Sequence, residues 1–292
     1  MTLRLGLVLL AMGTVFAAND AYRTEIENWR AGMEKTLKSE EGWLTVAGLF
    51  WLSPGEARVG SAADSTIVLP PPAPAFAAIL RFDGERVRLA PMGNVPITVG
   101  DQPILNEVLL NSDANGPADI VRLGDISFFV IKRGDRYGIR VKDRNSKIRR
   151  DFTHRNWFPV KPEYRVEGRF VAYAKPITRR IPTVLEGVVE DHEAMGTIEF
   201  TLNGTRWKLE AVKNNATTYQ IVFKDRTSGK ETYGAARFLV VPIPGKDGKV
   251  TVDFNKAYNP PCAFNPYTTC PLPVKQNVMP VAVEAGELKY DH

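Results

Sequence analysis

Apolar residues recur at helical spacing along Ala21–Ser39. Tyr22, Ile26, Trp29, Met33 and Leu37 step by four, three, four and four, with Arg, Glu and Lys between them. Such spacing gathers them on one stripe of an amphipathic helix. Thr24, followed by Glu25 and Glu27, supplies acids of the kind that suit a helix N-terminus. The stripe predicts a helix that docks by packing. The apolar run Gly42–Leu52, closed by Ser53-Pro54-Gly55, predicts a buried strand and turn.

Beyond it the period falls to two and turn dipeptides accumulate. Ile79–Phe82 and Glu85–Leu89 flank Asp83-Gly84, and Ile198–Leu202 and Thr205–Leu209 flank Asn203-Gly204. Both dipeptides tolerate the positive φ angles of a type I′ hairpin turn. Arg133-Gly134-Asp135 separates Phe128–Ile131 from Tyr137–Val141, Asp225–Gly229 follows Gln220–Lys224, and Gly245–Gly248 separates Phe238–Ile243 from Lys249–Phe254. These signals predict a mainly β protein: an antiparallel sandwich or barrel body in two parts, with one N-terminal amphipathic helix. The expected divisions are a signal peptide over 1–17, a helix over 18–41, a first β domain over 42–150 and a second over 151–292. The break falls where a charged cluster gives way to the aromatic stretch 151–160. One continuous β assembly is the rival division.

The first residues change the expected location. Arg4 precedes an apolar core over Leu5–Phe16, and Val15 and Ala17 obey the small-residue rule for cleavage after Ala17. The run is shorter than the roughly 20 residues of a membrane span. The expectation is a periplasmic or secreted protein with no transmembrane segment after leader removal. A net charge of +5, from 38 basic and 33 acidic residues, is spread in short separate clusters. Nucleic-acid binders carry a basic stripe or a reading motif, so no nucleic-acid partner is expected. A protein partner is undetermined.

The tail stretch 256–280 has neither period, yet it is too aromatic and proline-rich for disorder. It predicts an ordered loop laid over the second domain. Cys262 and Cys270 stand within it; a disulfide there would contribute about 2.5 kcal/mol by loop entropy, with free buried thiols the alternative. The three histidines, His154, His192 and His292, show no ligand spacing, so neither a metal nor a cofactor is expected. The motifs of serine hydrolases, zinc proteases and phosphate loops are absent.

What remains is a polar cluster on the strands leading into the tail: Tyr233, Arg237, Asp253, Asn255, Tyr258 and Asn259. If the segments around Arg237 and Asp253 form a hairpin, these two meet across the ladder. They make either a cross-strand ion pair or a pocket for a small polar or anionic ligand, with Arg237 as the fork and Tyr258, Phe264 and Tyr267 as an aromatic wall. A hydrolase-type enzyme using Asp253, Tyr233 and Arg237 is the second reading. A structural or interaction protein of the cell envelope is the third.

The segments GWLTVAGLFWL (Gly42–Leu52), RNWFPV (Arg155–Val160), TYGAARFL (Thr232–Leu239), VDFNKAYNPPCAFNPYTTCPLP (Val252–Pro273) and AVEAGE (Ala282–Glu287) resemble the bacterial and archaeal family called domain of unknown function 1684. The resemblance runs from about residue 25 to 287. It implies a shared fold and places Tyr233, Arg237, Asp253, Asn255, Asn259, Cys262 and Cys270 in the family pattern, without a reaction. In the first β domain, Val59-Gly60-Ser61, Asp64, Ile67–Leu69 and Val99–Ile104 resemble a forkhead-associated sandwich. Ser61 stands where that family places arginine, and its Ser-x-x-His is missing, so phosphothreonine binding does not follow.

Overall fold

The computed structural model describes residues 3–291, with side chains from residue 19 onward; the expected leader over 1–17 lies outside the described side chains. A helix spans Leu3–Lys38. The expected first turn around Thr24 is not a terminus: Thr24 lies within the helix and its hydroxyl donates back to Asp20 O at 3.0 Å. The apolar stripe is the docking face as expected. Tyr22, Ile26 and Leu37 are buried, Trp29 and Met33 half-buried, and Trp29 meets Trp157 and Tyr258 edge-on at 5.7 and 6.5 Å between centroids.

Two sheets follow, over residues 46–143, mainly antiparallel with one two-residue parallel pairing. One has six strands and the other five, and a single core of Val59, Leu80, Leu89, Phe128, Ile139 and Val141 lies between them. Alternation drives this packing: in Arg136–Asp143, Ile139 and Val141 enter the core, so Arg140 faces the other way. Ser61 is engaged locally, donating from Oγ to Ala73 O at 2.7 Å. The turn at Asp83-Gly84 is longer than the two-residue form expected, because Phe82 pairs with Val87. Asp83 Oδ1 accepts from the amides of Glu85 and Arg86 across that loop.

Arg140 is the anomaly of this part. It is 2% exposed, and its Nε and Nη2 have no hydrogen-bond partner among the described residues. It lies 5.2 Å from the Trp43 ring centroid. Burial, with Arg133 adding to it, pushes its pKa down to about 10. A desolvated charge without a hydrogen-bonded counter-ion opposes folding. Arg140→Met, which keeps the volume and removes the charge, is expected to stabilise the protein by about 1–4 kcal/mol. Urea unfolding checks it: a higher midpoint at unchanged slope is the expected result.

The second body is one six-stranded antiparallel sheet, curled into a nearly closed barrel. Its longest strands, Arg165–Pro182 and Val189–Leu202, pair with each other. The Asn203-Gly204 turn is the two-residue type expected, with φ of 52° and 75°. One expected hairpin is not formed. Arg237–Pro242 and Lys249–Asp253 occupy opposite ends of the strand order and do not pair with each other. Lys249–Asp253 instead pairs with Arg165–Arg169, and Arg237–Pro242 with Thr218–Phe223.

The tail is seated as expected. Within 256–280 only Pro266, Tyr267, Lys275, Gln276, Val278 and Pro280 are exposed. The strap crosses the barrel through single bridges: Tyr258 with Phe238, Pro271 with Thr183, and Val278 with Lys224. No helix among the described residues is long and apolar enough to cross a membrane.

Candidate functional site

Most of the expected polar cluster fastens the tail to the barrel. Arg237 is 1% exposed, and its Nη2 donates to Asp225 Oδ2 at 2.7 Å and to Val283 O at 3.0 Å. Its Nη1 donates to Ala285 O. Asp225 Oδ2 also accepts from Val283 N at 3.1 Å, and Oδ1 accepts from the Thr227 amide at 2.9 Å. Burial lowers the Arg237 pKa, and Asp225 opposes that fall. The expected approach of Arg237 to Asp253 is therefore corrected: the fork is filled by Asp225 and by carbonyls of the tail. The Arg237 Nε has no hydrogen-bond partner among the described residues, but at 1% exposure the group is closed to a ligand anion.

Asp253 is engaged elsewhere. Both its oxygens accept from the Tyr22 hydroxyl at 2.8 Å, so this carboxylate receives the N-terminal helix. Burial beside Asp253 raises the pKa of Tyr22. Asn255, fully buried, donates from Nδ2 to Lys161 O at 2.8 Å and accepts from Lys161 N at 2.9 Å. The Tyr233 hydroxyl donates to Cys262 O at 3.1 Å, and burial raises its pKa. Tyr233, Arg237 and Asp253 thus have separate partners, and no hydrogen bond joins any two of them.

Asn259 and Tyr258 are placed differently. Both line a cleft of about 380 Å³ between the N-terminal helix and the strap, within the size range of small-molecule sites. Met33, Thr36 and Leu37 of the helix form one side with Trp43. Pro261 and Phe264 of the strap form another, and Gln220, Phe238 and Asn214 come from the barrel. Tyr267, expected in the wall, is exposed and absent from this lining.

Asn259 is 2% exposed and held by two hydrogen bonds. Its amide N–H donates to Glu287 Oε2 at 2.7 Å and its Nδ2 donates to Leu288 O at 2.7 Å. Its Oδ1 has no hydrogen-bond partner among the described residues. A buried carbonyl oxygen left without a donor costs free energy, and this one borders an open cleft. Beneath it, Arg155 and Glu287 form a bidentate pair at 2.8 and 2.5 Å, with side chains 3% and 1% exposed. Burial raises the Glu287 pKa while Arg155 opposes it. Among the described lining residues Arg155 is the one charge and is already matched, so the site is uncharged in balance: one orphan acceptor, amides of Asn214 and Gln220, and four aromatic rings.

A larger groove of about 530 Å³ runs along the outside of the barrel past Glu167, Arg169 and Trp207. Its acids are paired with neighbours: Lys208 with Glu199 at 3.1 Å and Thr251 with Glu167 at 2.9 Å. Trp207 Nε1 is an unpartnered donor there. Among the described residues no group of three or more His, Cys, Asp and Glu is arranged to hold a metal.

The arrangement now has relatives. Residues 150–288 match the family described as Protein of unknown function (DUF1684). This segment contains the barrel sheet, the strap, Arg155, Asn259 and Glu287. The resemblance expected at Gly42–Leu52 lies outside the matched residues. An uncharacterised protein of Haloarcula marismortui, solved in solution by NMR, is similar at 29% identity over 48% of this chain and 78% of its own, with a TM-score of 0.41. The FHA domain of FhaA, solved with an intracellular domain as partner, matches at 22% identity over 32% of this chain and 97% of its own, TM-score 0.23. Mycobacterium tuberculosis EmbR, solved with a low-affinity phosphopeptide, matches at 18% identity over 34% and 24%, TM-score 0.23. No curated protein matches the chain.

Sequence reasoning singled out Asn259 and Tyr258 but missed Glu287, which accepts from the Asn259 amide, its partner Arg155, and Asp225, which holds Arg237. Arg155 and Glu287 lie inside the segments RNWFPV and AVEAGE, whose short charged insertions among apolar residues were the available signal.

Proposed function

We propose that the protein is exported and binds a small, uncharged ligand in the cleft between the N-terminal helix and the strap. The ligand carries an N–H or O–H donor for Asn259 Oδ1 and a flat apolar face for Tyr258, Phe264 and Trp43. The observation that carries this reading is the buried, unpartnered Asn259 oxygen at the border of a ligand-sized cleft. Aromatic walls with a few convergent amides are the usual make-up of such sites. The anionic alternative loses its support because Arg237 and Arg155 are both matched by buried carboxylates.

Export is the companion reading, resting on Arg4 and the apolar run before Ala17. Cleavage there leaves intact every helix residue named in the docking contacts, from Tyr22 to Leu37.

The test is a thermal-shift panel of monosaccharides, disaccharides and nucleosides on the mature protein. A stabilising compound is expected, and Asn259→Ala should weaken its binding about tenfold, the worth of one buried hydrogen bond. Thr36→Trp, which fills the cleft from an exposed helix position, should abolish it. A stabiliser that binds both variants as it binds the wild type overturns the reading.

A further inference from the structure

The strap that walls the cleft also carries two thiols in mutual contact. Cys262 and Cys270 are both free, the first half-buried and the second buried. The Cys262 amide donates to Cys270 Sγ at 3.3 Å, and the Cys262 thiol hydrogen-bonds the same sulfur. Cys270 Sγ in turn donates to Thr268 Oγ1 at 3.7 Å. Two donors, the Cys262 amide and thiol, therefore meet one sulfur, an environment that favours a thiolate, and the contact lowers the Cys270 pKa while raising that of its partner.

Their surroundings tie the pair to the cleft. Cys270 packs with Phe238, and Tyr258 and Cys262 pack against the same cluster. Phe238 and Tyr258 are cleft residues, and Cys262 sits between Pro261 and Phe264, which are cleft residues too. The strap is short and stiff at this point: Ala263 N donates to Pro260 O and Phe264 N to Pro261 O, both at 3.0 Å. A bridge draws the sulfurs to about 2.05 Å, and one of them is carried by the Pro261–Phe264 turn, which takes up any displacement.

We propose that Cys262 and Cys270 form a reversible dithiol site that exchanges with low-molecular-weight disulfides and so resets the cleft wall. The effect on the ligand rests on the cleft reading; the exchange itself does not. Cys262, the more accessible sulfur, passes its proton to the Cys270 thiolate as it attacks the small disulfide RSSR. The S–S bond of RSSR breaks, one RS⁻ leaves with the electron pair and takes that proton from Cys270, and a Cys262–SR mixed disulfide forms. Cys270 thiolate then attacks the Cys262 sulfur and expels the second RS⁻. Two S–H bonds are lost and one S–S bond is made, and the two released protons leave the small disulfide reduced to two RSH. The reverse sequence, started by a small thiol, restores the pair. By linkage, any occupant that prefers one wall position shifts the exchange equilibrium by the same factor as the exchange shifts its affinity.

The test uses the full mature protein in glutathione redox buffers, with acid quench, alkylation and peptide mass mapping. The wild type should pass reversibly between two alkylated thiols and one Cys262–Cys270 bridge, with its unfolding midpoint raised by about 5 °C or more in the bridged form. Cys270→Ser should trap a glutathione adduct on Cys262, whereas Cys262→Ser should trap little on buried Cys270. Amide exchange at Tyr258–Phe264 should differ between the two wild-type states. Two thiols that persist across all buffers, an adduct confined to Cys270, or identical amide exchange in both states overturns the proposal. A ligand panel that finds nothing, with the bridge forming reversibly, counts against the cleft reading alone.

Discussion

Asp225→Ala is expected to cost about 3–5 kcal/mol of folding stability, the usual penalty for stranding one partner of a buried ion pair. The substitution removes the acceptor of Arg237, whose guanidinium is 1% exposed and cannot turn to water. It also frees the Val283 and Thr227 amides from their carboxylate acceptors. The loss therefore combines a stranded charge with two orphaned amides and the loss of the Thr227 hydroxyl's acceptor. Chemical unfolding followed by far-ultraviolet circular dichroism measures it. Replacing both partners, Asp225→Leu with Arg237→Met, should recover much of the loss, because no charge is left behind. If Asp225→Ala alone unfolds within about 1 kcal/mol of the wild type, the ion pair does not hold the tail.

Gly286→Ala should be comparably severe, costing more than about 3 kcal/mol, for a different reason. Gly286 has φ of 83°, in the left-handed region that an L side chain resists. A Cβ there would stand 2.5 Å from Ala257 O and 2.8 Å from Phe254 O, both backbone atoms that cannot rotate aside. The next residue, Glu287, holds Arg155 and the Asn259 amide, so the displacement would reach the cleft directly. Loss of protection from amide exchange at Phe158, which donates to Gly286 O at 2.9 Å, would report it locally. A variant that keeps the wild-type midpoint would show that this turn can shift without cost.

Much of the fold was legible because its signals are local. The stripe Tyr22, Ile26, Trp29, Met33 and Leu37 needs only the helical period, and Asn203-Gly204 needs only two residues that tolerate positive φ. The hairpin placed between Arg237–Pro242 and Lys249–Asp253 failed for a non-local reason. Gly245–Gly248 gives a good turn, but barrel closure sends these strands to opposite ends of one sheet, and no local pattern encodes that order. The same error misplaced the site. Arg237 and Asp253 read as neighbours across a ladder, whereas each meets a residue far away in the chain or on another loop, Asp225 or Tyr22. The cleft needs the helix to dock before Thr36 and Met33 can face Tyr258 and Asn259. Sequence showed a packing stripe there, and only the docked geometry shows that Met33, Thr36 and Leu37 border a cleft with Pro261 and Phe264.

The orphan oxygen of Asn259 gives the most direct test. Isothermal titration of the first stabilising compound against wild type, Asn259→Ala and Thr36→Trp should give a loss of about tenfold for Asn259→Ala and no detectable heat for Thr36→Trp. Equal affinity across all three proteins would place the ligand elsewhere and contradict the cleft between helix and strap.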